Sequence, residues 1–177
     1  MSRYLRMVLL GAAMAWPAAV TVPVIHPVPA VAATASKAEF VEKAGLAGLF
    51  EIESSRVALK KSQDSDVKAF AEKMIADHTA AGEALKAAAK GNVPAALDAD
   101  HTKLLGQLTE ASTDDFDRLY VEMQLDGHAD AVALFAGYAE SGDDPSLKAF
   151  AEKTLPTLKR HHQMIEAIAS THLKKAS

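Results

Sequence analysis

Three histidines and one glutamate interrupt otherwise apolar stripes in this 177-residue chain. Glu51 falls between Ala47 and Ala58, His78 between Met74 and Ala81, His128 between Leu125 and Val132, and His161 between Leu158 and Ile165. The stripes advance in steps of three and four, so each polar residue shares a helical face with apolar neighbours. An ionisable group on a buried face is costly unless it is paired, hydrogen-bonded or coordinated. Three imidazoles and one carboxylate form a donor set for a divalent transition metal: zinc, manganese, iron or copper. The sequence equally allows a buried polar layer in which Glu51 pairs with an imidazole and no ion takes part. Gln124, one turn before His128, and Asp77, beside His78, are candidates to orient the rings.

Other polar residues compete less well. Glu53 shares a different face with Leu46, Phe50 and Val57 and is the main rival to Glu51. His162 and Glu166 are four apart, a common surface pairing. His101 and His172 fall in segments expected to be exposed, and His26 lies in the N-terminal leader. The chain has no Glu-x-x-His pair of the di-iron carboxylate bundles. It has no His-Glu-x-x-His, no phosphate-cradling glycine loop and no nucleophile elbow. No catalytic residue is therefore assigned, and no cofactor beyond the transition metal.

Positioning four such side chains requires long helices. The spacing predicts helices over about 36–61, 66–90, 114–140 and 145–172, with a short extra helix at 98–111 in the connector between the second and third long ones. Ser36 and Glu39 read as a capping box, Asp64 as the cap of the second helix, and Asp144-Pro145 as the start of the last. Gly91 and Pro94 end the second helix. Pro156 inside the last helix is expected to kink it. At 1.5 Å rise per residue, Glu51 and His78 each lie roughly 18 Å from the first hairpin turn. His128 and His161 fall near the middles of their helices, so all four candidates sit near one depth. The expected fold is all-α, an antiparallel four-helix bundle whose connector is long enough to cross it. Lys68-Ala-Phe-Ala-Glu-Lys73 recurs as Lys148-Ala-Phe-Ala-Glu-Lys153. Either an ancestral helix-hairpin duplication or coincidence between two alanine-rich amphipathic helices accounts for it.

The N-terminus reads as an address. Arg3 and Arg6 precede an uncharged stretch from Met7 to Ile25, and Ala33-Thr34-Ala35 offers an A-x-A site, so cleavage is expected after Ala35. The bundle domain then spans 36–177. An uncleaved anchor is the alternative, disfavoured by Pro17, Pro23, Pro27 and Pro29. A Sec-type leader implies a periplasmic protein, with no membrane span once it is removed. The two arginines are not the adjacent pair of a twin-arginine signal. There is no cysteine, which excludes disulfides and thiolate metal sites. The net charge is −4 and moves further negative once Arg3 and Arg6 are lost. Nucleic acid is therefore not an expected partner. An envelope protein or a second copy of the chain remains.

Several short runs resemble a known family. Phe40-Val41-x-Lys43-Ala44, Glu51-Ile52-Glu53, Val67-Lys68-x-Phe70-Ala71, Asp77-His78, Phe116-Asp117, His128 and Leu155-Pro156-x-Leu158-x-x-His161 are similar to the exported bacterial family called domain of unknown function 4142. The resemblance covers about residues 37–170. It implies a ferritin-like four-helix bundle and no established activity. Members are often described as outer-membrane proteins, but the mature chain lacks the alternating ten-residue segments of barrel strands. Two functions follow as expectations. The first is a periplasmic metal-binding bundle serving storage, sensing or oxidative-stress defence. The second is a non-enzymatic envelope interaction module whose histidines form a structural or pH-sensitive layer.

Overall fold

The structure, a computed structural model, describes residues 35–91 and 93–175. Residues 1–34, which hold all of the expected leader but Ala35 and include His26, lie outside the described residues, as does the side chain of His172. Five helices follow in order: α1 (Lys37–Lys61), α2 (Ser65–Ala88), α3 (Ala99–Glu110), α4 (Thr113–Ser141) and α5 (Pro145–Lys175). Among the described residues there is no strand, and no helix is long and apolar enough to cross a membrane.

Local chemistry sets the helix ends. The Asp64 carboxylate accepts from the Asp66 and Val67 amides at 2.8 and 3.2 Å. Asp144 does the same for Ser146 and Leu147 at 2.9 and 3.1 Å. These bonds satisfy amides that have no partner within the helix. The Ser36 hydroxyl accepts from the Glu39 amide. The Glu39 carboxylate pairs with Lys43 at 2.6 Å and also takes a hydrogen bond from the Ser36 backbone amide, as the expected capping box requires. Beyond α2, Lys90 and Gly91 take positive φ of 57° and 88°, and the Gly91 amide returns to the Lys86 carbonyl at 2.8 Å. Glycine adopts that turn without steric cost. α5 runs unbroken through Pro156, which is exposed, so its missing N–H falls on the solvent side.

The helices pack as two hairpins, α1 with α2 and α4 with α5, closed by contacts of α1 with α4 and α2 with α5. Two apolar clusters fix the directions. One holds Phe40 and Val41 from the start of α1, Leu85 from the end of α2, Phe135 and Tyr138 from the end of α4, and Leu147 from the start of α5. The other holds Ala58, Val67, Phe116 and Ile165 from the opposite ends of the same helices. Every neighbouring pair is therefore antiparallel. The end of α2 and the start of α4 lie at opposite ends of the bundle, so residues 89–112 traverse its length. A four-helix bundle with one such crossover is ferritin-like. α3 lies within the crossover and packs on α1 and α4. Phe50, on a second face of α1, is buried beneath it.

The repeated hexapeptide occupies equivalent places. Phe70 and Ala71 belong to one apolar cluster, Phe150 and Ala151 to the other. Each copy follows an aspartate cap, as a pseudo-two-fold relation of the hairpins requires. The offset that superposes the copies sets His78 on Leu158 and His161 on Ala81, so the histidines break the symmetry.

Aromatic packing anchors the end of the bundle where the chain enters. The Phe40 ring stacks on Tyr138 with centroids 4.0 Å apart and meets Phe135 edge-on at 5.1 Å. The Tyr138 hydroxyl donates to Asp143 at 2.7 Å. We expect Phe40→Ala to cost about 3–5 kcal/mol, read as a lower urea midpoint with an unchanged m-value. A loss under about 1 kcal/mol would contradict this packing.

Candidate metal centre

His78 on α2, His128 on α4 and His161 on α5 meet between the two apolar clusters, and all three are buried. Each sits one helical turn from a core residue: Met74 before His78, Gln124 before His128, Ile165 after His161. Their ring centroids form a near-equilateral triangle of 5.8, 5.5 and 5.5 Å. One ring nitrogen from each residue lies within 4.8 Å of the other two. Nitrogens that share a tetrahedral ion at about 2.0–2.1 Å are roughly 3.3–3.5 Å apart, so a modest inward movement of the rings closes the set.

The hydrogen bonds decide which nitrogens face inward. His128 Nδ1–H donates to the Gln124 carbonyl at 2.9 Å, leaving Nε2 with its lone pair. His161 Nε2–H donates to Asp77 Oδ2 at 2.7 Å, leaving Nδ1 with its lone pair. His128 Nε2, His161 Nδ1 and His78 Nε2 are all buried with no hydrogen-bond partner among the described residues. A ring held through one nitrogen by a carbonyl or carboxylate is the arrangement that fixes the tautomer of a metal-ligating histidine.

All three rings are neutral at ordinary pH. Burial pushes the His78 pKa down to about 3, helped by repulsion from His128 and His161. Burial lowers His128 to about 4, against the opposing hydrogen bond to Gln124. Burial also lowers His161, although Asp77 works the other way. Partial burial raises the Asp77 carboxyl, but hydrogen bonds from Lys73 and His161 outweigh it and hold it below its ordinary value. Lys73 Nζ lies 2.9 Å from the same oxygen that binds His161.

Glu51 lies beside this triangle rather than in it. It is 5% exposed, and its Oε1 is 3.8 Å from His128 Nδ1. Oε2 has no partner among the described residues. Burial lifts its pKa to about 8, only partly offset by Gln124, so the carboxyl is protonated at neutral pH. The α4 backbone passes close by: a β-carbon added at Gly127 would sit 3.4 Å from Oε1.

The remaining candidates separate cleanly. Glu53 points outward and pairs with Arg56 at 2.6 Å. His162 Nδ1 lies 3.8 Å from Glu166, on the surface. Asp77 and Gln124 both orient rings, each in a way that the sequence left open. Asp77 holds His161 across a helix interface rather than its neighbour His78, because adjacent helical residues point about 100° apart. Gln124 holds His128 through its backbone carbonyl, while its side-chain amide donates to Ser54 at 3.2 Å. Ser54, which the spacing puts on the inward stripe of α1, and Ser55, which sequence reasoning missed, are both fully buried, the latter bonded to the Tyr120 hydroxyl at 2.8 Å. His101, expected in an exposed segment, is instead half-buried, because α3 brings it against Phe50 with centroids 5.7 Å apart. For the serines the signal was their place in an apolar stripe. For His101 there was none, because it depends on where the crossover lies.

The low histidine pKa values imply an acid-labile core. Below about pH 6.5 the unfolded chain takes up protons that the folded His78 and His128 refuse, so stability falls until the folded rings titrate near 4 and 3. Glu51 gives the opposite slope between about 8 and 4.5, since only the unfolded state ionises there. We expect the Tm of metal-free His78→Leu/His128→Leu to decline less than that of the parent between pH 6.5 and 4. Parallel declines would show that these rings are not held neutral.

A family model described as "Domain of unknown function (DUF4142)" matches residues 24–168. A comparison with curated proteins gives no match. Among solved structures, the chain is similar to the crystal structure of a DUF305 fragment from Deinococcus radiodurans, with a TM-score of 0.64 and 14% identity over 78% of this chain and 99% of that one. That likeness is one of fold. With the family match spanning most of the sequence, the chain belongs to the DUF4142 family.

Proposed function

We propose that this protein is a periplasmic metal-binding bundle that takes one transition-metal ion through His78, His128 and His161. The observation that carries the reading is the set of three buried ring nitrogens with no hydrogen-bond partner among the described residues, two of them freed for coordination by hydrogen bonds on the far side of their rings. Leaving such atoms unsatisfied costs stability unless they bind something. Imidazole donors suit zinc or copper better than manganese, which prefers oxygen ligands. Glu51 is the candidate fourth donor and would release its proton on binding. One ion held in a closed core suits storage or sensing. Ferroxidase-type chemistry, in which several carboxylates bridge two irons, has no counterpart in this donor set.

Elemental analysis and titration of the purified protein test this. We expect about one zinc or copper ion per chain, with binding abolished in His78→Ala and in His128→Ala. Asp77→Ala should keep the stoichiometry and weaken affinity about 10–100-fold, since it removes the carboxylate that orients His161. Glu51→Gln should also keep the stoichiometry. A parent protein that binds neither ion, while the histidine variants change only in stability, would leave the layer purely structural.

A further inference from the structure

We infer that the cavity between α1, α3 and α4 is the passage by which a divalent cation reaches the three histidines, drawn in by Asp126 and Asp130. This rests on the metal-binding reading. The cavity holds about 300 Å³ and is bordered by residues of α1, α2, α3 and α4. Its border includes the buried Glu51, His78 and His128 together with the exposed Asp126 and Asp130. Glu51 Oε2, His78 Nε2 and His128 Nε2, three of the buried atoms without a hydrogen-bond partner among the described residues, thus belong to residues on the same cavity as two exposed carboxylates. No lysine or arginine lines it among the described residues. His101 adds an imidazole to the wall, its Nδ1 bonded to Asp98 at 2.7 Å.

A second cavity also touches His78, between α1, α2 and α5, and offers a contrast. Residues such as Leu49, Ile52, Leu85 and Phe150 line it, with no carboxylate among them. A hydrated cation gains nothing from such a wall, whereas carboxylates at a low-dielectric cleft raise the local cation concentration. Asp126 and Asp130 are one turn apart on α4 and both exposed, so they raise the rate of capture without serving as final ligands. Such groups lower the barrier in both directions. Loading and release therefore change together while the equilibrium constant stays nearly fixed.

Stopped-flow loading of the full chain with Co²⁺, followed by its visible absorption, tests the passage. We expect Asp126→Asn/Asp130→Asn to load about tenfold more slowly at low salt, and Asp126→Lys/Asp130→Lys more slowly still. The dissociation constant should shift less than about twofold, and added salt should slow the parent more than either variant. Glu72→Gln/Glu152→Gln, the same charge change at exposed positions outside the cavity, should load at the parental rate. Should the parent bind none of Co²⁺, Zn²⁺ and Cu²⁺, the metal reading itself fails. Should it bind with rates that the aspartate variants leave unchanged, or that the control slows equally, the passage alone is overturned.

Discussion

Keeping a polar ring inside a helical core is expensive when one of its nitrogens has nothing to bond. The cost is on the order of 1–3 kcal/mol for each unsatisfied group. Here it recurs three times in one layer, at His78, His128 and His161, with the Glu51 carboxyl beside them. Aliphatic side chains would fill the same space without that loss. The neutral state of the rings is the direct result of their desolvation, and neutrality is what makes them donors rather than cations.

The rest of the bundle holds that layer still. Apolar clusters at both ends lock the four long helices in place, so the rings cannot drift apart without opening packed aromatic contacts. Asp77 and the Gln124 carbonyl then fix two of the rings from behind, one across a helix interface and one within its own helix. Packing sets the positions, and hydrogen bonds set which atom of each ring points where. Lys73 adds a third member to the Asp77–His161 pair and keeps the carboxylate ionised while its partner stays neutral.

The crossover matters as much as the hairpins. Because α2 ends far from where α4 begins, the intervening chain must run the length of the bundle. In doing so it lays α3 over the Phe50 face of α1. That creates a walled cavity beside the polar layer where two plain hairpins would leave open solvent. The two-fold relation suggested by the repeated hexapeptide extends to caps and core residues but not to the histidines. The fold itself is shared at 14% identity with the DUF305 fragment.

The sequence alone determined the helices, their caps, the bundle class and the depth at which His78, His128 and His161 lie. All of these follow from local spacing and from a rise per residue that is constant in a helix. It also singled out Glu51, though not whether its carboxyl would join the imidazoles or stand beside them. Tertiary structure decided the rest. Which ring Asp77 reaches, which nitrogen each histidine turns inward, and what α3 covers all depend on the rotation and proximity of helices distant in the chain. Helical periodicity gives the face of one helix, but it carries no record of how that face is turned toward the next.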